Sequence, residues 1–294
     1  MKIINKIITL IVLVGFTGNA NAQLNAAGSQ YYVNRYIANP AMAGFARGLS
    51  LNGGYRTLWH NIPGAPVSQN LTGEYGFQKV GLGLSLYNET AGLFRQTRAV
   101  ATYAYHLDLG KEKKLHFGLS AGILDQKVNS ADVVGGGSDI VIGEYNAREL
   151  YFDGDFGVAY TSGKLNVEAA LPNMKRLFRK DAQKVADEAS FYAATSYLFS
   201  LGKNAGGIGM EPKLVFRGVR GFDNIWDAGL QVSIADRQVF FTGLYHSTQN
   251  ATFGLGMDLK RKYLVNLLYT SETSALRTYA NGSFELNLRV AFGR

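Results

Sequence analysis

Only four histidines are available for proton transfer in this chain: His60, His106, His116 and His246. His106 and His116 fall on the polar phase of neighbouring strand-like runs, with Asp108 in the same phase. A lumenal acid–base cluster of the kind a barrel hydrolase needs is therefore one reading. No Ser sits in a Gly-x-Ser-x-Gly elbow, and polar residues that fill an interior or flank a turn account for the same positions. Asp153-Gly154-Asp155 places two carboxylates close together, but the ligand series of an EF-hand is absent and the pair opens a strand, so its role reads as structural. Gly135-Gly136-Gly137-Ser138 lacks the strand before and the helix after that a phosphate cradle requires, which leaves loop flexibility. There is no Cys, hence no disulfide, no thiol chemistry and no cysteine for a lipoprotein anchor. We expect no catalytic activity, no cofactor and no metal.

The elements that carry these residues alternate with period two from Leu49 onward, the mark of strands whose two faces meet different surroundings. Val80, Leu82, Leu84 and Leu86 interleave with Gly81, Gly83 and Ser85. Leu165, Val167, Ala169 and Leu171 interleave with Asn166, Glu168 and Ala170. The same pattern recurs over Trp226–Val232, Phe253–Leu259 and Phe284–Phe292, where Asp227 and Glu285 take the polar phase. With the weaker runs added, the count reaches about 14 strands of roughly 8 to 11 residues, long enough to cross a bilayer at a tilt. An all-β, transmembrane antiparallel barrel in the outer membrane is the expected fold.

Connection lengths point the same way. The turns near Gly76–Lys79, Gly110–Lys113, Ser162–Gly163, Ala235–Asp236 and Lys260–Lys262 are tight and fall on one side, with Ser200–Gly207 as a longer exception. The long connections Gln126–Arg148, Pro172–Ser190 and Ser271–Ser283 fall on the other, as in barrels with short periplasmic turns and long external loops. A soluble β-sandwich would also alternate, but explains this asymmetry poorly. Its buried faces would also leave the uncharged polar phase unexplained, whereas a wet lumen accommodates Gly, Ser, Thr and Asn. Pro172–Ala189 is the one stretch with helical character, and its Lys175, Arg176, Arg179, Lys180 and Lys184 suit a partner, acidic lipopolysaccharide or plain solvent.

Residues 1–22 read as a secretory signal: Lys2 and Lys6 precede an apolar run, and Ala20-Asn21-Ala22 is a small-x-small cleavage site. Removing those two lysines takes Lys+Arg from 30 to 28 against 22 Asp+Glu, so the formal charge falls from +8 to +6. That balance is mildly basic and is no nucleic-acid signature. No stretch after the signal has the 18 or more consecutive apolar residues of a membrane helix. The expected organisation is a signal peptide over 1–22, an N-terminal periplasmic or plug segment over 23–48, and a barrel over 49–294.

The run from Ser29 to Gly44, with Tyr31-Tyr32-Val33-Asn34-Arg35-Tyr36-Ile37-Ala38-Asn39-Pro40 at its heart, has little alternation yet is dense in aromatic and Asn residues. It resembles the N-terminal signature of the PorP/SprF family. The likeness continues through Tyr55-Arg56-x-x-Trp59, Gly64-Ala65-Pro66, Gly81-Leu82-Gly83, Tyr103-Ala104-Tyr105 and Phe117-Gly118-Leu119-Ser120-Ala121-Gly122. Gln23–Gly28 departs from the usual acidic-Pro-x-Phe lead, Leu58 replaces a frequent Gln, and Glu89 stands where Asp is common. The resemblance implies an outer-membrane component of type IX secretion and gliding motility. It implies as partners a secreted adhesin or other cargo with a type IX C-terminal domain, periplasmic ring components of the machine, and outer-membrane lipid. Tyr31, Tyr32, Asn34, Tyr36, Asn39, Pro40, Arg56 and Trp59 are the expected partner-binding residues, against the alternative that the N-terminal run only seals the barrel. A passive channel or hydrophobic-solute transporter is the alternative function.

Overall fold

The computed structural model describes residues 29–59, 61–129, 140–147, 150–174, 189–201, 207–219, 224–272 and 281–293. The signal sequence, His60, the Gly135–Ser138 run and the basic stretch from Lys175 to Glu188 lie outside these residues.

Fifteen strand segments form one sheet. The first seven are β1 (Gly48–Thr57), β2 (Val67–Phe77), β3 (Val80–Ala91), β4 (Phe94–Gly110), β5 (Lys113–Val128), β6 (Tyr151–Ser162) and β7 (Leu165–Leu171). They are followed by β8 (Ala189–Tyr197), β9 (Phe199–Leu201), β10 (Ile208–Val219) and β11 (Ile225–Ile234). The last four are β12 (Val239–His246), β13 (Asn250–Leu259), β14 (Tyr263–Thr270) and β15 (Ser283–Phe292). Both β8 and β9 pair with β10, in one line broken at Leu198, so together they make a single stave. Pairing of β15 with β1 and of β10 with β11 closes the sheet into a 14-strand antiparallel barrel. Closure pairs the edges that an open sheet would leave bare in lipid.

The faces are inverted relative to a soluble protein. Outward side chains are large and apolar, Leu119 at 55% and Phe253 at 63% exposure, while inward ones are polar and buried, Thr72 and Asp227 at 0%. Burial cannot drive apolar groups outward unless the outer medium is itself apolar, which rules out a sandwich in water. The pairing lays this band out in rows. Leu86, Ala99, Ile123 and Phe152 are direct neighbours across β3 to β6, and two residues further out stand Asn88, Thr97 and Asp125. The change from Ile123 to Asp125 marks the outer limit of the lipid belt. On β5 that belt runs down to Leu115, a height of roughly 20 Å once strand tilt is included.

β4 and β5 therefore extend above the belt. Beyond Leu124, which still pairs with Tyr151, β5 is met by a short helix, α1 (Ile140–Asn146). The Asn146 side chain accepts from the Val128 N–H and donates to the Val128 carbonyl, both at 2.8 Å, which caps the free strand edge. The sequence predicts no helix in the Gln126–Arg148 connection that carries it.

Candidate functional site: the occupied lumen

Residues 29–47 lie inside the barrel. Ser29 meets the outer half of the wall, its N–H donating to Glu285 at 3.1 Å, and the chain descends to Gly44, whose N–H donates to Glu74 at 2.9 Å near the tight turns. From there it turns directly into β1. At Asn39 it makes one 3-10 turn, Pro40–Met42, capped by the Asn39 side chain accepting from the Ala41 N–H.

The wall is shaped to receive it. Gly76, Gly81, Ala104, Gly118, Gly157 and Ala170 are neighbours in one row across β2 to β7. Asn39 to Gly44 lies across that row so closely that a Cβ on Gly81 would overlap the Ala43 carbonyl. A Cβ on Gly118 or Gly157 would overlap Pro40 or Asn39, and one on Gly83 the ring of Tyr36. These glycines, which alternation alone makes ordinary residues of a wet lumen, are instead places of close backbone approach.

Polar ties complete the docking. Tyr31 donates its hydroxyl to Asp227 at 3.1 Å, Asn34 donates to Thr72 at 3.1 Å, and Tyr36 shares a 2.7 Å hydrogen bond with Thr102. Asn39 donates to the Val158 carbonyl at 3.2 Å, and Tyr32 to the Glu211 carbonyl at 3.1 Å. Arg35 and Glu168 form an ion pair at 2.6 Å, and Lys213 donates to the Tyr31 carbonyl at 2.7 Å. Burial holds the hydroxyls of Tyr31, Tyr32 and Tyr36 well above their ordinary range, so all three remain protonated.

Of the expected partner-binding residues, Tyr31, Asn34, Tyr36, Asn39 and Pro40 are thus buried against the wall, and Tyr32 is half-buried. Arg56 and Trp59 lie at the outer end of β1, Arg56 opposite Glu285 and within electrostatic reach of Tyr31, while the Trp59 indole donates to Glu272 at 2.9 Å. The structure brings His106 and His116 together, Nδ1 to Nδ1 at 2.8 Å, whereas Asp108 pairs with Lys114. His106 Nε2 lies 3.1 Å from the Ala43 carbonyl, which can only accept, so that nitrogen carries the proton. With neutral rings, His116 then donates through Nδ1 and accepts the Thr161 hydroxyl at Nε2, 2.9 Å away. The pair is a latch on the segment. Among the described residues no group of three or more His, Cys, Asp or Glu could hold a metal ion.

Two further arrangements were not read from the sequence. Asp227 gathers Arg217 at 2.9 Å and His246 at 2.7 Å in addition to Tyr31. Arg98 spans Asp153 and Asp155, at 2.7 Å from each, which gives that acidic pair its structural role. Glu168, Asp227 and Glu285 were legible as charges on the inward phase of clean strands, and a buried carboxylate calls for donors opposite.

Comparison with known proteins fits this geometry. Among solved structures, the toluene transporter TbuX of Ralstonia pickettii is similar over 95% of this chain and 96% of its own, at 10% identity and a TM-score of 0.55. The CymD monoaromatic hydrocarbon channel is similar over 94% of this chain and 95% of its own, at 11% identity and a TM-score of 0.50. At such identities the likeness is one of fold. No curated protein sequence matches. The family model of the type IX secretion system membrane protein PorP/SprF matches residues 20–290. With the barrel, its lipid belt and this match in agreement, the chain is an outer-membrane protein that belongs to the PorP/SprF family of type IX secretion system membrane proteins.

Proposed function

We propose that this barrel anchors a secreted surface protein, such as a gliding adhesin, through that protein's C-terminal domain, and links it to the periplasmic ring of the type IX machine. The observation that carries this reading is the occupied lumen. A segment tied to the wall from Glu285 to Glu74 suits a platform better than a conduit, because its ion pair and its row of close glycine contacts hold it along the lumen. In this reading Tyr31, Tyr32, Asn34, Tyr36, Asn39 and Pro40 act on a partner by holding the segment in shape. Arg56 and Trp59 act at the outer rim.

The second reading is a channel for apolar solutes, motivated by the names of the two similar barrels. A lumen lined by Thr72, Thr102, Ser120, Asp227 and Asn266 offers such a solute little. The test is extraction from native outer membrane in mild detergent, followed by identification of what co-purifies. Recovery of an adhesin's C-terminal domain or of ring components supports anchoring. A lone barrel that conducts small solutes sinks it and favours the channel.

A further inference from the structure

The small-residue row spans only β2 to β7, so the N-terminal segment packs tightly on that side and leaves space on the other. There a cavity of about 160 Å³ lies between Tyr32 and the inner ends of β10 to β15. Its remaining polar lining includes Glu211, Gln231, Ser233, Arg237, Asp258 and Arg289, at the level of the tight turns and hence on the periplasmic side. The volume is close to that of engineered cavities that hold a benzene-sized ligand, but here the walls are polar.

The hydrogen-bonding capacity of these walls is not used up. Arg289 and Asp258 pair through one guanidinium nitrogen and one carboxylate oxygen, while Arg289 Nε and Asp258 Oδ1 are buried with no partner. Arg237, on the exposed β11–β12 turn, makes no ion pair or hydrogen bond to a described residue, although its side chain folds back to within 3.9 Å of where a Cβ on Gly209 would stand. Glu211 is occupied by the Ser196 hydroxyl at 2.7 Å. What the cavity offers is two guanidinium donors beside one free carboxylate acceptor.

We propose that this periplasmic cavity binds the C-terminal end of a peptide chain, Arg237 and Arg289 receiving the terminal carboxylate and Asp258 accepting from the last amide N–H. A carboxylate matches guanidinium donors through charge-assisted hydrogen bonds, and the amide N–H two bonds before it supplies the one donor that the orphaned aspartate oxygen lacks. Neither a hydrocarbon nor a sugar presents that pair. The inference extends the anchoring reading to the chemistry of the captured chain end, and rests on that reading for a cargo peptide that meets the barrel from the periplasm, before export, since the occupied lumen closes the route from outside.

The test is calorimetric titration of the purified full-length barrel with acetyl-Ala-Gly-Ala as the free acid, as its C-terminal amide, and with acetate. The acid should bind, the amide about tenfold weaker or worse, and acetate weaker still because it lacks the N–H. Arg237→Gln, on an exposed turn, should cost the acid about tenfold and leave the amide unchanged, with the folded band on a heat-modifiability gel retained. Equal binding of acid and amide, binding of neither at millimolar concentration, or an unaffected Arg237→Gln barrel each overturns the proposal. Acetate binding as tightly as the acid overturns the peptide in favour of a free small carboxylate. Cargo retention in an Arg237→Gln strain separates the two readings: cargo kept while the peptide is lost defeats this inference alone, and peptide binding without any cargo partner defeats the anchoring reading alone.

Discussion

Gly81 of β3 and Ala43 of the N-terminal segment approach so closely that no other residue type fits at position 81 without moving the segment. The contact sits within the small-residue row, between Gly76 and Ala104, and beside the His106 latch on the same Ala43 carbonyl. Docking of residues 29–47 is therefore a steric match first and a set of hydrogen bonds second.

Gly81→Ala should accordingly undock the segment without opening the barrel. Overpacking of this kind costs about 1 to 3 kcal/mol. Gly53, where a Cβ would meet nothing within 4 Å, is the control, and Gly53→Ala should be close to neutral. Urea unfolding in liposomes gives the stabilities, and planar-bilayer conductance should rise for Gly81→Ala only. Equal behaviour of the two variants would remove steric docking from the account.

The Arg35–Glu168 pair tests the polar half of the docking. Glu168 is buried, and its second carboxylate oxygen has no hydrogen-bond partner. Arg35→Ala leaves that charge with Lys213 as its remaining cationic neighbour and should cost about 3 kcal/mol, whereas adding Glu168→Gln should restore part of the loss by removing the half-compensated charge. Hydrogen exchange over residues 29–47 reads this locally. A double variant no better protected than Arg35→Ala would show that the pair is not the tie.

Much of the barrel was legible in the sequence because a period of two and the lipid belt act on every strand independently. The strand count, the tight turns and the outward phase of Leu82, Leu84 and Leu86 follow from that repetition. The lumen was less legible because its contacts join residues far apart. Gly118 and Gly157 gain meaning only when the register sets them side by side under Pro40. β4 and β5 run from Phe94 and to Val128, past the apolar runs Ala99–Leu109 and Leu115–Asp125, because their outer ends stand in water, where alternation carries no hydrophobic signal.

The lipid belt itself makes a depth prediction. Leu267 sits in an outward row with Tyr55, Leu286, Leu255 and Phe241, and is 55% exposed. Leu267→Arg should cost about 2 to 4 kcal/mol, and Thr97→Arg, one row above the belt, about 0 to 1. Unfolding in liposomes decides it. Comparable costs at the two sites would displace the belt from where Ile123 and Asp125 put its edge.

The outer rim carries the pH dependence that can be followed one residue at a time. Glu272 accepts from the Trp59 indole, and partial burial pushes its carboxyl up against the opposing pulls of that hydrogen bond and of Arg56. A carboxyl held above its ordinary value keeps its proton in the folded state at pH values where the unfolded chain has lost it. Its contribution to rim stability is thus present at acid pH, below the ordinary Glu range, and is lost as pH rises through the raised value. Glu272→Gln keeps an acceptor for the indole and carries no charge, so the slope should vanish while the contact survives. The chain has two Trp, so Trp59 emission in a Trp226→Phe background isolates the rim. Following that emission through denaturant at several pH values should show a midpoint that falls with rising pH when Glu272 is present and stays level with Gln. A slope that persists in Glu272→Gln would assign the titration to another group.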